Sequence, residues 1–123
     1  MFQGAPFDDR RRAIMFVLQY MVSHMAILQQ LYTSLDACNR QRKSDSILAL
    51  DLAAATYIGS LEGKSDGGSY DGSLIYGFAM RMCVHFGTCT VSYNARANER
   101  IISLFYSAQG EAEAGVSLSR LCS

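Results

Sequence analysis

The chain has no tryptophan, one proline, two histidines and no surplus of either charge. A single proline, with no regular rhythm of turn residues between short β-branched runs, argues against an all-β fold. Eleven basic residues balance eleven acidic ones. A protein held to nucleic acid by phosphate neutralisation carries a basic excess, and this chain has none. No C-x2-C pair is present, which weakens a zinc-site reading, and no C-x-x-C-H, which excludes covalent haem of that type. No N-x-S/T acceptor occurs, so N-glycosylation says nothing about compartment.

What remains is apolar and helical. Leu, Ile, Val and Phe fill 30 of 123 positions, enough to exclude a disordered chain and to build one domain with a core. Residues 1–7 read as a flexible leader, and 8–123 as a single helical domain. Asp8 and Asp9 stand where an N-cap belongs. Beyond them Ile14, Leu18, Met21, Met25, Leu28, Tyr32 and Leu35 step by four and three alternately. This is the 3.5-residue seam of a bundle or coiled-coil helix, and it is expected to face inward. Residues 13–35 carry no formal charge and follow Arg10–Arg12, so length and flank also suit a membrane span. Gln19, Ser23, His24, Gln29 and Gln30 interrupt that stretch, and a buried bundle helix is the preferred reading; membrane association is not favoured.

Four further helices are expected. Ser44 or Asp45 caps the second, with Ile47, Leu50, Ala54, Tyr57, Ile58 and Leu61 inward and Gly59 and Gly63 as its end. Asp71 or Ser73 caps the third, with Ile75, Phe78, Ala79, Met82 and Phe86 inward and Gly87 as its stop. Thr88–Tyr93 reads as extended. Asn94 caps the fourth, with Ala97, Ile101, Leu104, Phe105 and Ala108 inward and Gly110 as its stop. Glu111–Leu121 reads as a short fifth, its acidic start and Arg120 matching the helix dipole. Short connections predict antiparallel neighbours. The expected fold is therefore all-α, an up-down four-helix bundle with a short fifth C-terminal helix.

On that bundle Cys38, Cys83, Cys89 and Cys122 all fall at one pole, because the first, third and fifth helices end there. Disulfides are the preferred reading, each adding roughly 2–4 kcal/mol by restricting the unfolded chain, and they imply an oxidising compartment. Zinc bound by some of Cys83, His85, Cys89, Cys38 and Cys122, and free buried thiols, stay open as alternatives.

Several chemical motifs fail on spacing. Gly63-Lys64-Ser65 lacks the earlier glycine of a phosphate loop, Ile58 standing in its place, and it follows a helix rather than a strand. Asp66 and Asp71 lie in a glycine-rich loop, but an EF-hand begun at Asp66 would need its bidentate Glu at Gly77. His24 and His85, with Met21, Met25, Met80 and Met82 nearby, could ligate haem in a helical bundle; core filling explains the methionines more simply. Cys83 and His85 sit two apart on a helix and diverge, so they cannot act as nucleophile and base. No acid–base constellation emerges, and the chain reads as non-enzymatic, with no catalytic residue, no metal and no cofactor. Tyr20, Tyr57, Tyr70, Tyr76, Tyr93 and Tyr106 suit either partner surfaces or half-buried bundle edges.

The run Thr56-Tyr57-Ile58-Gly59-Ser60-Leu61-Glu62-Gly63 is followed by a Gly/Asp/Ser loop and by Leu74-Ile75-Tyr76-Gly77-Phe78-Ala79. Next come Met82-Cys83-Val84-His85-Phe86-Gly87-Thr88-Cys89 and Ala97-Asn98-Glu99-Arg100-Ile101-Ile102-Ser103-Leu104-Phe105, with Cys122 near the end. Together they resemble a cysteine-containing helical module found in predicted secreted or surface proteins of diatoms and related algae. The resemblance spans about residues 48–122. It departs in the more apolar first helix and in the placement of Arg81. It implies disulfide-bonded cysteines, tandem units and no assigned activity. The functional expectation is a self-associating structural module of an extracellular or surface assembly, whose partner is itself or another protein subunit and not nucleic acid. The alternatives are an accessory subunit of a membrane complex, such as a lumenal photosynthetic one, and a haem- or pigment-carrying bundle.

Overall fold

The computed structural model describes residues 6–59 and 74–113. They form four helices: α1 (Phe7–Asn39), α2 (Lys43–Ile58), α3 (Ile75–Phe86) and α4 (Arg96–Glu113). The fold is all-α; among the described residues the one β feature is an isolated antiparallel bridge between Cys89 and Ala95.

Helix α1 is 33 residues long, about 50 Å at 1.5 Å per residue. Its N-cap is Pro6, without a side-chain capping bond. The Pro6 carbonyl instead accepts the amides of Asp9 and Arg10. Asp8 and Asp9 are therefore first-turn residues, where a carboxylate favours the helix dipole, and not caps. The helix ends in a Schellman motif: the Arg42 amide reaches the Ala37 carbonyl and the Gln41 amide that of Cys38, with Gln41 in the left-handed region at φ 58°. That tight reversal sends α2 back along α1. Helix α2 begins at Lys43 after Arg42, and neither Ser44 nor Asp45 caps it.

The face that α1 turns toward α2 is the main difference from expectation. Ser23, Ile27, Ser34, Ala37 and Cys38 are its buried residues. They meet Ser46, Ala49, Ala53 and Tyr57 of α2. The Ser34 hydroxyl donates to the Ser46 carbonyl at 3.0 Å and lies 2.9 Å from the Ser46 hydroxyl. Small side chains let the two backbones approach closely, and paired hydroxyls meet the polar requirement of that contact. The expected seam consequently points outward. Ile14, Leu18, Met21, Met25, Leu28, Tyr32 and Leu35 are all exposed, Met25 at 67% and Tyr32 at 70%.

Helix α4 runs antiparallel to α2. Asn98 in its first turn meets Tyr57 near the end of α2, while Lys43 at the start of α2 donates to the Glu113 carbonyl. Helix α3 does not run down the bundle as an up-down order requires. The Tyr76 carbonyl accepts from Asn98 and Met80 Sδ accepts from the Ala95 amide, so successive turns of α3 both reach the start of α4. It therefore lies across one end of α1, α2 and α4. Its buried residues are Ile75, Tyr76, Gly77, Met80 and Cys83. Phe78, Ala79 and Met82 are half-buried, and Phe86 is exposed.

Gly59 and Gly87 end α2 and α3 as expected, with φ of 108° and 63°. Residues 88–95 are a tight turn rather than an extended strand, and α4 starts at Arg96, with Asn94 outside it. Along α4, Ile101, Phe105 and Ala108 are half-buried, but Ala97 and Leu104 are exposed. Helix α4 continues through Gly110. Glycine halts a helix where it takes a positive φ, and Gly110 does not. Glu111 and Glu113 thus belong to α4; Leu61, Gly63, Asp71, Ser73 and the rest of the expected fifth helix lie outside the described residues.

A Cβ added at Gly110 would meet nothing within 4 Å. Gly110→Ala should therefore raise stability by about 0.5–1 kcal/mol. Gly87→Ala, forced to keep its left-handed backbone, should lower it by about 1 kcal/mol. Urea midpoints of the two variants check both signs.

Candidate functional site

The structure joins Cys83 and Cys89 in a disulfide. Cys83 is buried in the last turn of α3 and Cys89 is half-buried in the turn before α4. The bond closes a short loop and braces the α3–α4 turn; it does not tie separate helix ends together. It also takes up two of the thiols that the zinc alternative requires. Cys38 is disulfide-bonded as well, but it sits where α2 begins, at the end opposite Cys83 and Cys89. The expected common pole is therefore not formed among the described residues. The reason is α3: lying across an end, it leaves Cys83 beside the start of α4 instead of carrying it to the far end. Cys122 lies outside the described residues.

His24 and His85 are both exposed. The His24 Nδ1–H donates to the Tyr20 carbonyl of its own helix at 2.8 Å, and His85 stands in the last turn of α3. No hydrogen bond links them among the described residues. No group of three or more His, Cys, Asp or Glu side chains there could hold a metal. Gly63-Lys64-Ser65, Asp66, Tyr70 and Asp71 fall outside the described residues.

The buried polar centre is one that periodicity did not point to. Asn98 is 1% exposed. Its Oδ1 accepts from the Tyr57 hydroxyl at 2.7 Å, and its Nδ2 donates to the Tyr76 carbonyl at 3.0 Å. One amide thereby links α2, α3 and α4. The Tyr57 ring meets that of Tyr76 edge-on, with centroids 6.3 Å apart, and Phe105 lies on another side. Burial, and secondarily the charge of Tyr76, pushes the Tyr57 hydroxyl up to about 12. Tyr57 and Tyr76 are core residues, while Tyr32, Tyr93 and Tyr106 are exposed.

The most extensive exposed chemical feature is the apolar surface of α1. Its N-terminal half extends past the α1–α2 contact, and Ile14, Met15, Phe16, Val17 and Leu18 are all more than half exposed. Farther along, the outward seam continues to Leu35. Tyr20 is the side chain that ties this region to α3, packing on Phe78 with ring centroids 4.2 Å apart and accepting from Arg81 at 3.4 Å. Ser23 and Thr33 donate back to the carbonyls four residues earlier, so their hydroxyls are met within the helix. By length and composition α1 is long and apolar enough to cross a membrane. A surface of this kind is suited to burial against another apolar surface.

Comparison with protein-family models, curated proteins and solved structures finds no match to this chain.

The covalent brace and the polar centre can each be tested. Joint Cys83→Ala and Cys89→Ala should cost about 2 kcal/mol, the entropy of a six-residue closure, while helicity by circular dichroism stays near wild type. The polar centre responds to alkali. The folded Tyr57 binds its proton more tightly than the unfolded one, so its contribution is fully present below about pH 10. It is lost as pH rises toward about 12, a fall of roughly 2 kcal/mol. Tyr57→Phe should flatten that loss; urea unfolding at a series of pH values measures it.

Proposed function

We propose that this chain is a non-enzymatic structural module that self-associates through α1 within an extracellular or surface assembly. The observation that carries this reading is the exposed heptad seam of α1. Seven apolar residues at alternating four- and three-residue steps form a stripe about 32 Å long, without a partner among the described helices. A lipid-facing helix needs apolar residues but no heptad; a coiled-coil contact with another helix uses both. At these exposures the seam offers about 800 Å² per copy, the size of a standard interface on one partner.

The Cys83–Cys89 disulfide supports an oxidising compartment. The resemblance to algal secreted modules supports an extracellular one. A second reading takes the chain as an accessory subunit of a membrane complex, for example on the lumenal side of a photosynthetic membrane. The length and apolar composition of α1 favour it.

Sedimentation velocity of the oxidised chain separates the readings. Concentration-dependent dimers or larger species are expected at micromolar protein. Paired Met25→Glu and Leu28→Glu, both at exposed positions, should return the chain to monomer with unchanged helicity. A monomeric wild type that floats with lipid vesicles would overturn self-association in favour of the membrane reading.

A further inference from the structure

The four cysteines divide into a short pair and a remainder. Cys83 and Cys89 are bonded to each other, six residues apart. Cys38 is bonded as well, and among the described residues no cysteine is free. Within one chain the sulfur left to pair with Cys38 is that of Cys122.

The placement of Cys38 agrees with that count. A disulfide needs Cα atoms within about 7 Å of each other. Cys38 stands in the last turn of α1, beside the start of α2, whereas Cys83 and Cys89 stand beyond the other end of α2. The 16 residues of α2 span about 24 Å, so Cys38 cannot exchange partners with that pair. The end of α4, by contrast, is on the Cys38 side. Lys43 donates to the Glu113 carbonyl at 2.9 Å, and Lys43 follows Cys38 across one tight turn. From Glu113 to Cys122 is nine peptide steps, a reach of up to about 30 Å. Packed helix axes lie only about 8–10 Å apart, so chain length does not limit the closure. Cys38 is also buried, 7% exposed, away from the outward seam of α1. A copy that meets the seam does not reach its sulfur, which favours a partner from the same chain.

We propose that Cys38 and Cys122 form a disulfide within one chain, closing α2, α3 and α4 into a covalent ring fastened to the last turn of α1. The oxidant is a disulfide of a small thiol or of an oxidoreductase. The Cys38 thiolate attacks it, forms a mixed disulfide and releases one thiol; the Cys122 thiolate then attacks the Cys38 sulfur and releases the second. Two protein thiols are oxidised and one external disulfide is reduced. A closure of this length removes about twice the unfolded-chain entropy of the six-residue one. All four sulfurs are then used inside one chain, so copies that associate do so without covalent links and can part again. A cut in the exposed turn at 40–43 would leave α1 attached to the ring.

Tryptic mapping of the full oxidised chain, with thiols blocked by N-ethylmaleimide and no reductant, tests the pairing. Peptide 13–40 should appear joined to peptide 121–123, and peptide 82–96 should be two hydrogens light. Peptide 13–40 blocked at Cys38, joined to a second 13–40, or joined to 82–96 would overturn the proposal. A non-reducing denaturing gel should show a single chain, and a covalent dimer held through Cys38 would overturn closure within one chain. Cys122→Ser should leave one thiol, Cys38, open to alkylation in denaturant; a monomeric variant without a free thiol overturns the pairing. Denaturant removes non-covalent contacts, so these outcomes stand apart from whether copies self-associate through the seam.

Discussion

A column of small side chains decides which way α1 faces. Ser34 and Ala37 are buried toward the C-terminal end of α1 and Ser46 and Ala49 toward the start of α2, and the Ser34–Ser46 hydrogen bonds fasten that contact. Interiors are packed to crystal-like density, so a contact this close has no room for Met25, Leu28 or Tyr32. Once the small face turns inward, the geometry of the helix turns the large apolar face outward. The buried face and the exposed seam are consequences of one choice, and replacing Ala53 by a bulky residue would disturb both.

The far end of the molecule rests on a different principle. Asn98 is buried where an apolar residue would be the ordinary choice, and it is tolerated because both ends of its amide are met by Tyr57 and the Tyr76 carbonyl. A buried polar group with its bonds satisfied is specific, since any shift of one helix leaves an unpaired donor or acceptor costing about 1–3 kcal/mol. This explains why α3 crosses the bundle end instead of sliding along it. Tyr76, Met80 and the Cys83–Cys89 disulfide each hold α3 to the first turn of α4 or the turn before it. Close packing and the Ser34–Ser46 hydrogen bonds position α1 on α2; the bonds of Asn98 and Ala95 hold α3 against the start of α4.

Helix existence was legible because the apolar periodicities are long and the glycines at 59 and 87 stand at true helix ends with positive φ. Orientation was not, for a physical reason visible in α1. A heptad seam reports which residues could be buried against a helix, without saying whether that helix belongs to the same chain. Residue size carried the missing signal: Ser23, Ser34 and Ala37 on α1, with Ser46, Ala49 and Ala53 on α2, mark where two backbones can touch. The side-chain cap expected at Asp8 was not found because the Pro6 carbonyl takes the Asp9 and Arg10 amides; α2 starts at Lys43 without a cap from Ser44, and Asn94 stands outside α4. The cysteine geometry failed at one step, the assumption that α3 runs the length of the bundle.

The exposed seam meets little electrostatic opposition. Proteins stay apart in solution partly through net charge, and here eleven positive and eleven negative residues cancel. Between Ala13 and Leu35 there is no charge at all to oppose contact. A stripe of this size on an electrically neutral chain is poorly opposed by charge, which is the physical basis of the self-association proposed for it.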